Sequence, residues 1–128
     1  MKKITHIFLF IVALIISSCF GEATKITTIS ITEYNPETEK KGVLIDVRTP
    51  KEFAEGHLPG AININVQNVD FSEKMNEISK KEKVYLYCKS GNRSTKATSI
   101  LDTLGYKHIY NLDGGFLAWD EAGKPVEK

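Results

Sequence analysis

The stretch Val84-Tyr85-Leu86-Tyr87-Cys88-Lys89-Ser90-Gly91-Asn92-Arg93-Ser94 constrains this chain more than any other. Its first half alternates and is β-branched or aromatic, which predicts a short buried strand ending on Cys88. A tight polar loop containing Gly91 follows. Residues Ser94 to Leu104 then read as a helix, with Gly105 just past its end in the usual closing position. In open α/β sheets, anions bind beyond the carboxyl ends of strands, against helix N-termini and free backbone N–H groups. A thiol in that place sits in a field that favours thiolate over thiol. Lys89 and Arg93 add positive charge on either side of the loop. The pattern predicts a reactive cysteine that handles small anions. The competing reading is a free cysteine packed in the core as a small hydrophobe.

Not all of the 128 residues belong to the folded domain. Lys2 and Lys3 precede an uninterrupted apolar run from Ile7 to Ile16. That run is too short for a membrane span of about 20 residues and matches a bacterial secretory h-region. Ile16-Ser17-Ser18-Cys19 follows and resembles the lipobox of bacterial lipoproteins. The resemblance implies a signal peptide over 1–18, acylation of Cys19 and attachment to the envelope facing the periplasm. Phe20 stands where some bacteria carry an inner-membrane retention aspartate, so the outer membrane is expected. The alternative is an ordinary signal peptide with Cys19 incidental, which leaves a free thiol in an oxidising compartment. Acylation leaves Cys88 as the one remaining thiol and rules out the Cys19–Cys88 bridge that two cysteines would suggest. Losing Lys2 and Lys3 from 17 basic residues against 16 acidic leaves one more acid than base, with histidines neutral. So even a balance points to neither nucleic acid nor an anionic membrane face as partner.

Residues 19–27 are expected to form the lipidated cysteine and a short tether, 28–124 one domain, and 125–128 a C-terminal tail. That length supports one core and is too short for two. Ile26 to Ile31 predicts a strand with one wet face. Residues 32–41, with Pro36 and many charges, predict a turn or short helix. Val43 to Val47 is a continuous apolar run with one acid, as in a strand buried on both faces. Thr49-Pro50-Lys51-Glu52 is a helix start, with Thr at the N-cap, Pro next and Glu closing a capping box. Ala61–Val66 predicts a strand, and Phe71, Met75 and Ile78 at helical spacing predict a helix over 70–80. Lys107–Leu112 predicts the last strand, Asp113-Gly114-Gly115 a turn, and Phe116 to Trp119 the opening of a final helix. Alternating strands and helices predict a three-layer α/β/α domain on a mostly parallel sheet.

Three stretches together resemble a known family, the rhodanese homology domain. Leu44-Ile45-Asp46-Val47-Arg48-Thr49-Pro50-Lys51-Glu52-Phe53 with Glu55-Gly56-His57-Leu58-Pro59-Gly60-Ala61-Ile62-Asn63 resembles its first signature. Cys88-Lys89-Ser90-Gly91-Asn92-Arg93-Ser94 resembles its active-site loop, and Leu112-Asp113-Gly114-Gly115-Phe116 with Trp119 its closing segment. The resemblance implies about five mostly parallel strands, a catalytic Cys88 after the fourth, and sulfurtransferase chemistry without metal or organic cofactor. Cys88 would take the outer sulfur of a donor such as thiosulfate, release sulfite, and pass the sulfur from a persulfide to a thiol or protein-thiol acceptor. Two half-reactions through one covalent form imply ping-pong kinetics. Inward N–H groups of residues 89–94 would hold the anionic terminal sulfur. Gly91 would permit φ > 0, and Lys89 and Arg93 would attract the donor.

Loop length separates chemistries on this fold. Related phosphatases and arsenate reductases carry a five-residue spacer between cysteine and arginine; here it is four, and position 94 is Ser. A small-oxyanion phosphatase and a non-catalytic interaction or persulfide-carrier module remain the alternatives. Asp46 and Arg48 are expected to form a structural buried pair, with Arg48 a candidate support for the site. His57 reads as a turn residue. His57 and His108 lack the spacing of a zinc site. Residues 91–96 lack the Gly-x4-Gly-Lys-Ser/Thr pattern of a nucleotide loop. Phe116 and Trp119 are expected in the core.

Overall fold

The structure, a computed structural model, describes residues 21–39 and 41–128. The leader over 1–18 and the acylation site Cys19 lie outside the described residues. Five strands, β1 (Lys25–Ser30), β2 (Val43–Asp46), β3 (Ile62–Asn63), β4 (Lys83–Tyr87) and β5 (His108–Asp113), form one sheet in the order β1-β5-β4-β2-β3. Every adjacent pair is parallel. Helices α1 (Pro50–Glu55), α2 (Phe71–Met75), α3 (Asn92–Leu104) and α4 (Gly115–Glu121) complete the α/β fold.

Period-two alternation along β4 sorts the core. Val84, Leu86 and, one residue beyond the strand, Cys88 join Phe71, Met75, Ala97 and Leu101 on the side of α2 and α3. Tyr85 and Tyr87 join Ile31, Tyr34, Leu58 and Trp119 on the opposite side, against α4 and a short 3-10 turn over Ile31–Glu33. Successive strand residues point to opposite faces. Cys88 therefore lies on the α3 side by register alone.

Several boundaries differ from expectation, each for a local reason. The tether ends earlier than residue 27, because Lys25 already donates its N–H to the Lys107 carbonyl at 2.8 Å and opens β1. The strand expected over 61–66 keeps only Ile62–Asn63. Asn63 then turns its side-chain amide to the carbonyls of Asp46 and Arg48, at 3.0 and 2.9 Å. The helix expected over 70–80 stops at Met75. The Tyr106 hydroxyl bonds the Met75 and Ile78 carbonyls, and the first of these is one that a continuing helix would use. The segment 125–128 is not a loose tail: Glu127 and His57 exchange both backbone hydrogen bonds at 2.9 Å, and Pro125 accepts the indole N–H of Trp119 at 2.8 Å.

Candidate active site

Cys88 ends the apolar run with its side chain 1 % exposed. Gly91 donates its backbone N–H to Cys88 Sγ at 3.0 Å, and Ser94 Oγ lies 3.6 Å from the same sulfur. The Ser94 hydroxyl also reaches the Gly91 carbonyl at 3.1 Å. A neutral thiol can thus donate to Ser94, while an ionised one can accept a hydrogen bond from the Ser94 hydroxyl once that hydroxyl rotates away from the Gly91 carbonyl. Burial pushes the Cys88 thiol up, but hydrogen bonds from the Ser94 hydroxyl and the amides of Ser94, Gly91 and Ser90 outweigh it. The net result lies below the ordinary cysteine value. Cys88 therefore packs in the core, as a small hydrophobe would, with its thiol held below the ordinary value by the donors around it.

The loop amides face inward because of what holds the loop from outside. Phe116 and Leu117, at the start of α4, donate their N–H groups to the carbonyls of Cys88 and Lys89, at 2.8 and 3.1 Å. In a planar trans peptide the N–H points opposite to the C=O. Those two contacts accordingly turn the amides of Lys89 and Ser90 away from α4, and the Ser90 amide is one of those that hold the Cys88 thiol down. The approach is possible only at glycine: a Cβ on Gly115, which has φ 61°, would stand 2.5 Å from the carbonyl oxygens of both Cys88 and Lys89. Gly115, expected in a turn and in the closing segment of the resemblance, thus shapes the loop. Gly91 differs from Gly115: a Cβ there would meet nothing closer than 3.5 Å, but φ is 125°, where side-chain-bearing residues are rarely found.

The charged residues distribute unevenly around this cradle. Arg93 makes a bidentate pair with Glu52, Nη1 to Oε1 at 2.7 Å and Nη2 to Oε2 at 2.9 Å. Glu52 was expected to close a capping box. It does donate its N–H to Thr49 Oγ1 at 3.3 Å, but its carboxylate goes to Arg93 and to the Thr49 hydroxyl. The Arg93 hydrogen bond, against the opposing effect of burial, holds the Glu52 carboxyl down at about 2. Asp46 and Arg48 form the buried pair foreseen, with Nη2 to Oδ2 at 2.7 Å. Tyr87 donates its hydroxyl to Asp46 at 2.8 Å, and Arg48 also donates to the Gly56 carbonyl at 2.6 Å.

A cleft of about 530 Å³ opens beside the loop, lined by Arg48, Glu52, Lys89, Arg93, Phe116 and Leu117 among others. Phe116 was expected in the core. It is only partly buried, and its ring stacks against the Arg48 guanidinium at 4.4 Å on the cleft wall. Trp119 is in the core as expected, 2 % exposed. The side chains of Ser90 and Asn92 are exposed, so Ser90 contributes its backbone N–H. His57 packs flat on Phe53, centroids 3.7 Å apart, with Nδ1 2.9 Å from the Phe53 carbonyl, as a turn residue would. Sequence reasoning missed two contributors, Glu52 as a partner for Arg93 and Gly115 as the point of close approach. The pair of consecutive glycines before a helix was the available signal for the second.

Residues 30–122 match the family described as the Rhodanese-like domain. A protein named sulfurtransferase from Allochromatium vinosum is 39 % identical over 84 residues, covering 66 % of this chain and 77 % of that protein. A protein named thiosulfate sulfurtransferase 16, chloroplastic, from Arabidopsis thaliana is 36 % identical over 93 residues, covering 65 % of this chain and 78 % of its own. The crystal structure of a rhodanese-related protein from Thermoplasma volcanium superposes with a TM-score of 0.69 at 32 % identity, covering 79 % of this chain and 97 % of that one.

Proposed function

This chain belongs to the rhodanese-like domain family, and from that premise we propose that it transfers a sulfane sulfur through a Cys88 persulfide. The Cys88 thiolate attacks the outer sulfur of a donor such as thiosulfate. A bond forms between Sγ and that sulfur as the donor's S–S bond breaks, and the electron pair leaves on sulfite. The persulfide's terminal sulfur carries the negative charge, and an acceptor thiolate then removes it, restoring the Cys88 thiolate. No net oxidation occurs over the cycle. The observation that carries this reading is the 3.0 Å hydrogen bond from the Gly91 N–H to Sγ, within a set of amides that lowers the thiol pKa. Donors fixed before the reaction stabilise the developing anion without reorganising.

Incubating the full chain with thiosulfate and measuring intact mass tests it. One added sulfur, absent in Cys88→Ser and lost on adding an acceptor thiol, is the expected result. Hydrolysis of a phosphoester with no gain of sulfur would favour the small-oxyanion alternative, and neither activity would favour an interaction module. The same reading places the domain in the cell envelope through Cys19, on the strength of the Ile16-Ser17-Ser18-Cys19 motif. Metabolic labelling with palmitate should mark the wild type and leave Cys19→Ala unlabelled.

A further inference from the structure

The cleft charges cancel in pairs. Arg48 is neutralised by Asp46 at 2.7 Å, Glu55 faces Lys51 at 3.4 Å, and Arg93 is gripped by Glu52 through both of its terminal nitrogens. Lys89 also lines the cleft and makes no ion pair among the described residues. A guanidinium pairs best with an oxyanion through two parallel N–H bonds, and Arg93 gives both of its terminal nitrogens, and the compensation of its charge, to Glu52. The Thr49 hydroxyl, 3.2 Å from Glu52 Oε1, fixes that carboxylate further. A dianionic donor entering here therefore meets one uncompensated cation and a carboxylate in the wall. An ionised organic persulfide carries a single charge and an apolar substituent. The half-buried Phe116 and the exposed Leu117 offer that substituent an apolar wall.

We propose that Glu52 is a specificity-determining residue: by occupying Arg93 it turns the site from dianionic donors such as thiosulfate towards monoanionic organic persulfides. The proposal rests on the sulfur transfer proposed above. In the step it favours, the Cys88 thiolate attacks the outer sulfur of R–S–S⁻. The Sγ–S bond forms, the donor's S–S bond breaks, and the electron pair departs on R–S⁻, leaving the anionic persulfide on Cys88. Charge and electrons balance with no further reactant.

The test compares kcat/KM for thiosulfate and for a small alkyl persulfide in the full chain at low ionic strength. Glu52→Gln keeps the side-chain shape and a partner for Thr49. It should raise the thiosulfate value about tenfold and the persulfide value about threefold, because the electrostatic effect scales with donor charge. Arg93→Gln should lower thiosulfate use about tenfold, since a bare carboxylate then remains. The double substitution should return it near the wild-type level, and the differences should shrink as salt is added. Thermal unfolding of each variant checks that the domain is intact. If both donors change in equal proportion, or if Glu52→Gln lowers thiosulfate use in a folded protein, the proposal is overturned. A wild type and variants that never acquire a persulfide from any donor would overturn the underlying function too, and mass measurement tells the two failures apart.

Discussion

The backbone N–H of Phe116 donates to the carbonyl of Cys88 at 2.8 Å, so the helix that closes the fold holds the peptide group of Cys88 itself. That single contact links the end of the chain to the direction in which the loop's amides point. Without it the Cys88 carbonyl would be free to rotate, and the amide of Lys89 with it.

Gly115→Ala should break this link. Its Cβ would stand 2.5 Å from two backbone oxygens, which cannot swing aside as a side chain would, and φ at 61° adds strain. A loss of about 2–4 kcal/mol in stability follows from clash and strain together. Urea unfolding measures it. The protein that remains folded should also alkylate at Cys88 more slowly at neutral pH, because a displaced loop no longer aims its amides at sulfur.

Ser94→Ala removes the hydroxyl 3.6 Å from Sγ and spares the backbone donors. The Cys88 thiol should then titrate at higher pH than in the wild type. Iodoacetamide alkylation followed against pH checks this: the inflection moves up, and the rate near neutrality falls about three- to tenfold, the equivalent of one ordinary hydrogen bond of about 1 kcal/mol, as suits a contact as long as 3.6 Å. Stability follows the same logic with the sign set by the depressed pKa. Between the native and unfolded pKa values the unfolded chain holds the proton and the native one does not, so stability rises with pH. The ionisation-linked part of the difference between wild type and Cys88→Ala should therefore be full above the unfolded-state pKa and be lost as pH falls through the native one, on top of a pH-independent loss of packing.

Asp46, Arg48 and Tyr87 form a buried network in which each member has a defined partner. Tyr87 donates to Asp46 at 2.8 Å and accepts the Leu58 N–H at 3.1 Å. Tyr87→Phe strands the Leu58 N–H and takes one donor from Asp46, which keeps Arg48, and should cost about 1–3 kcal/mol. Asp46→Ala leaves the Arg48 guanidinium buried, 3 % exposed, without its carboxylate, and should cost about 3–5 kcal/mol. Denaturant midpoints for the two variants, with Cys88 alkylation as a control for the loop, give both numbers. An order reversed between them would contradict the assignment of Asp46 as the centre of the network.

The alternation of strands and helices and the cysteine's position at the end of a strand were legible because they follow from local signals, whereas the order β1-β5-β4-β2-β3 was not. A continuous apolar run marked β2, an alternating β-branched and aromatic stretch marked β4, Thr49-Pro50 marked the start of α1, and Gly105 marked the end of α3, where the structure has φ 88°. What was not legible depends on pairs distant in the chain. Arg93 and Glu52 are 41 residues apart, so the spacing of basic residues around the loop suggested free cations where the fold delivers a neutral pair. The shortening of α2 has the same origin, since Tyr106 competes for its carbonyls from 28 and 31 residues away. Phe116 was read from its hydrophobicity alone, while its place on the cleft wall is set by Arg48.

The last residues supply the clearest instance of such a long-range tie, and a truncation tests it. Trp119 is 2 % exposed, and its indole N–H is satisfied at 2.8 Å by the carbonyl of Pro125. Glu127 exchanges two backbone hydrogen bonds with His57, and its carboxylate reaches the Gly60 N–H at 3.4 Å. Ending the chain at Gly123 leaves the indole donor without that acceptor and frees the segment around His57. A buried donor left unsatisfied costs about 1–3 kcal/mol, and the lost backbone pairing adds to it. The unfolding midpoint should drop accordingly, with Trp119 fluorescence shifted to the red in the native baseline as water reaches the ring. Cys88 alkylation should hold near the wild-type rate, because residues 124–128 make no contact with the loop among the hydrogen bonds that shape it. A truncated chain as stable as the wild type would show that Trp119 finds another acceptor and that the tail expected over 125–128 adds nothing to the fold.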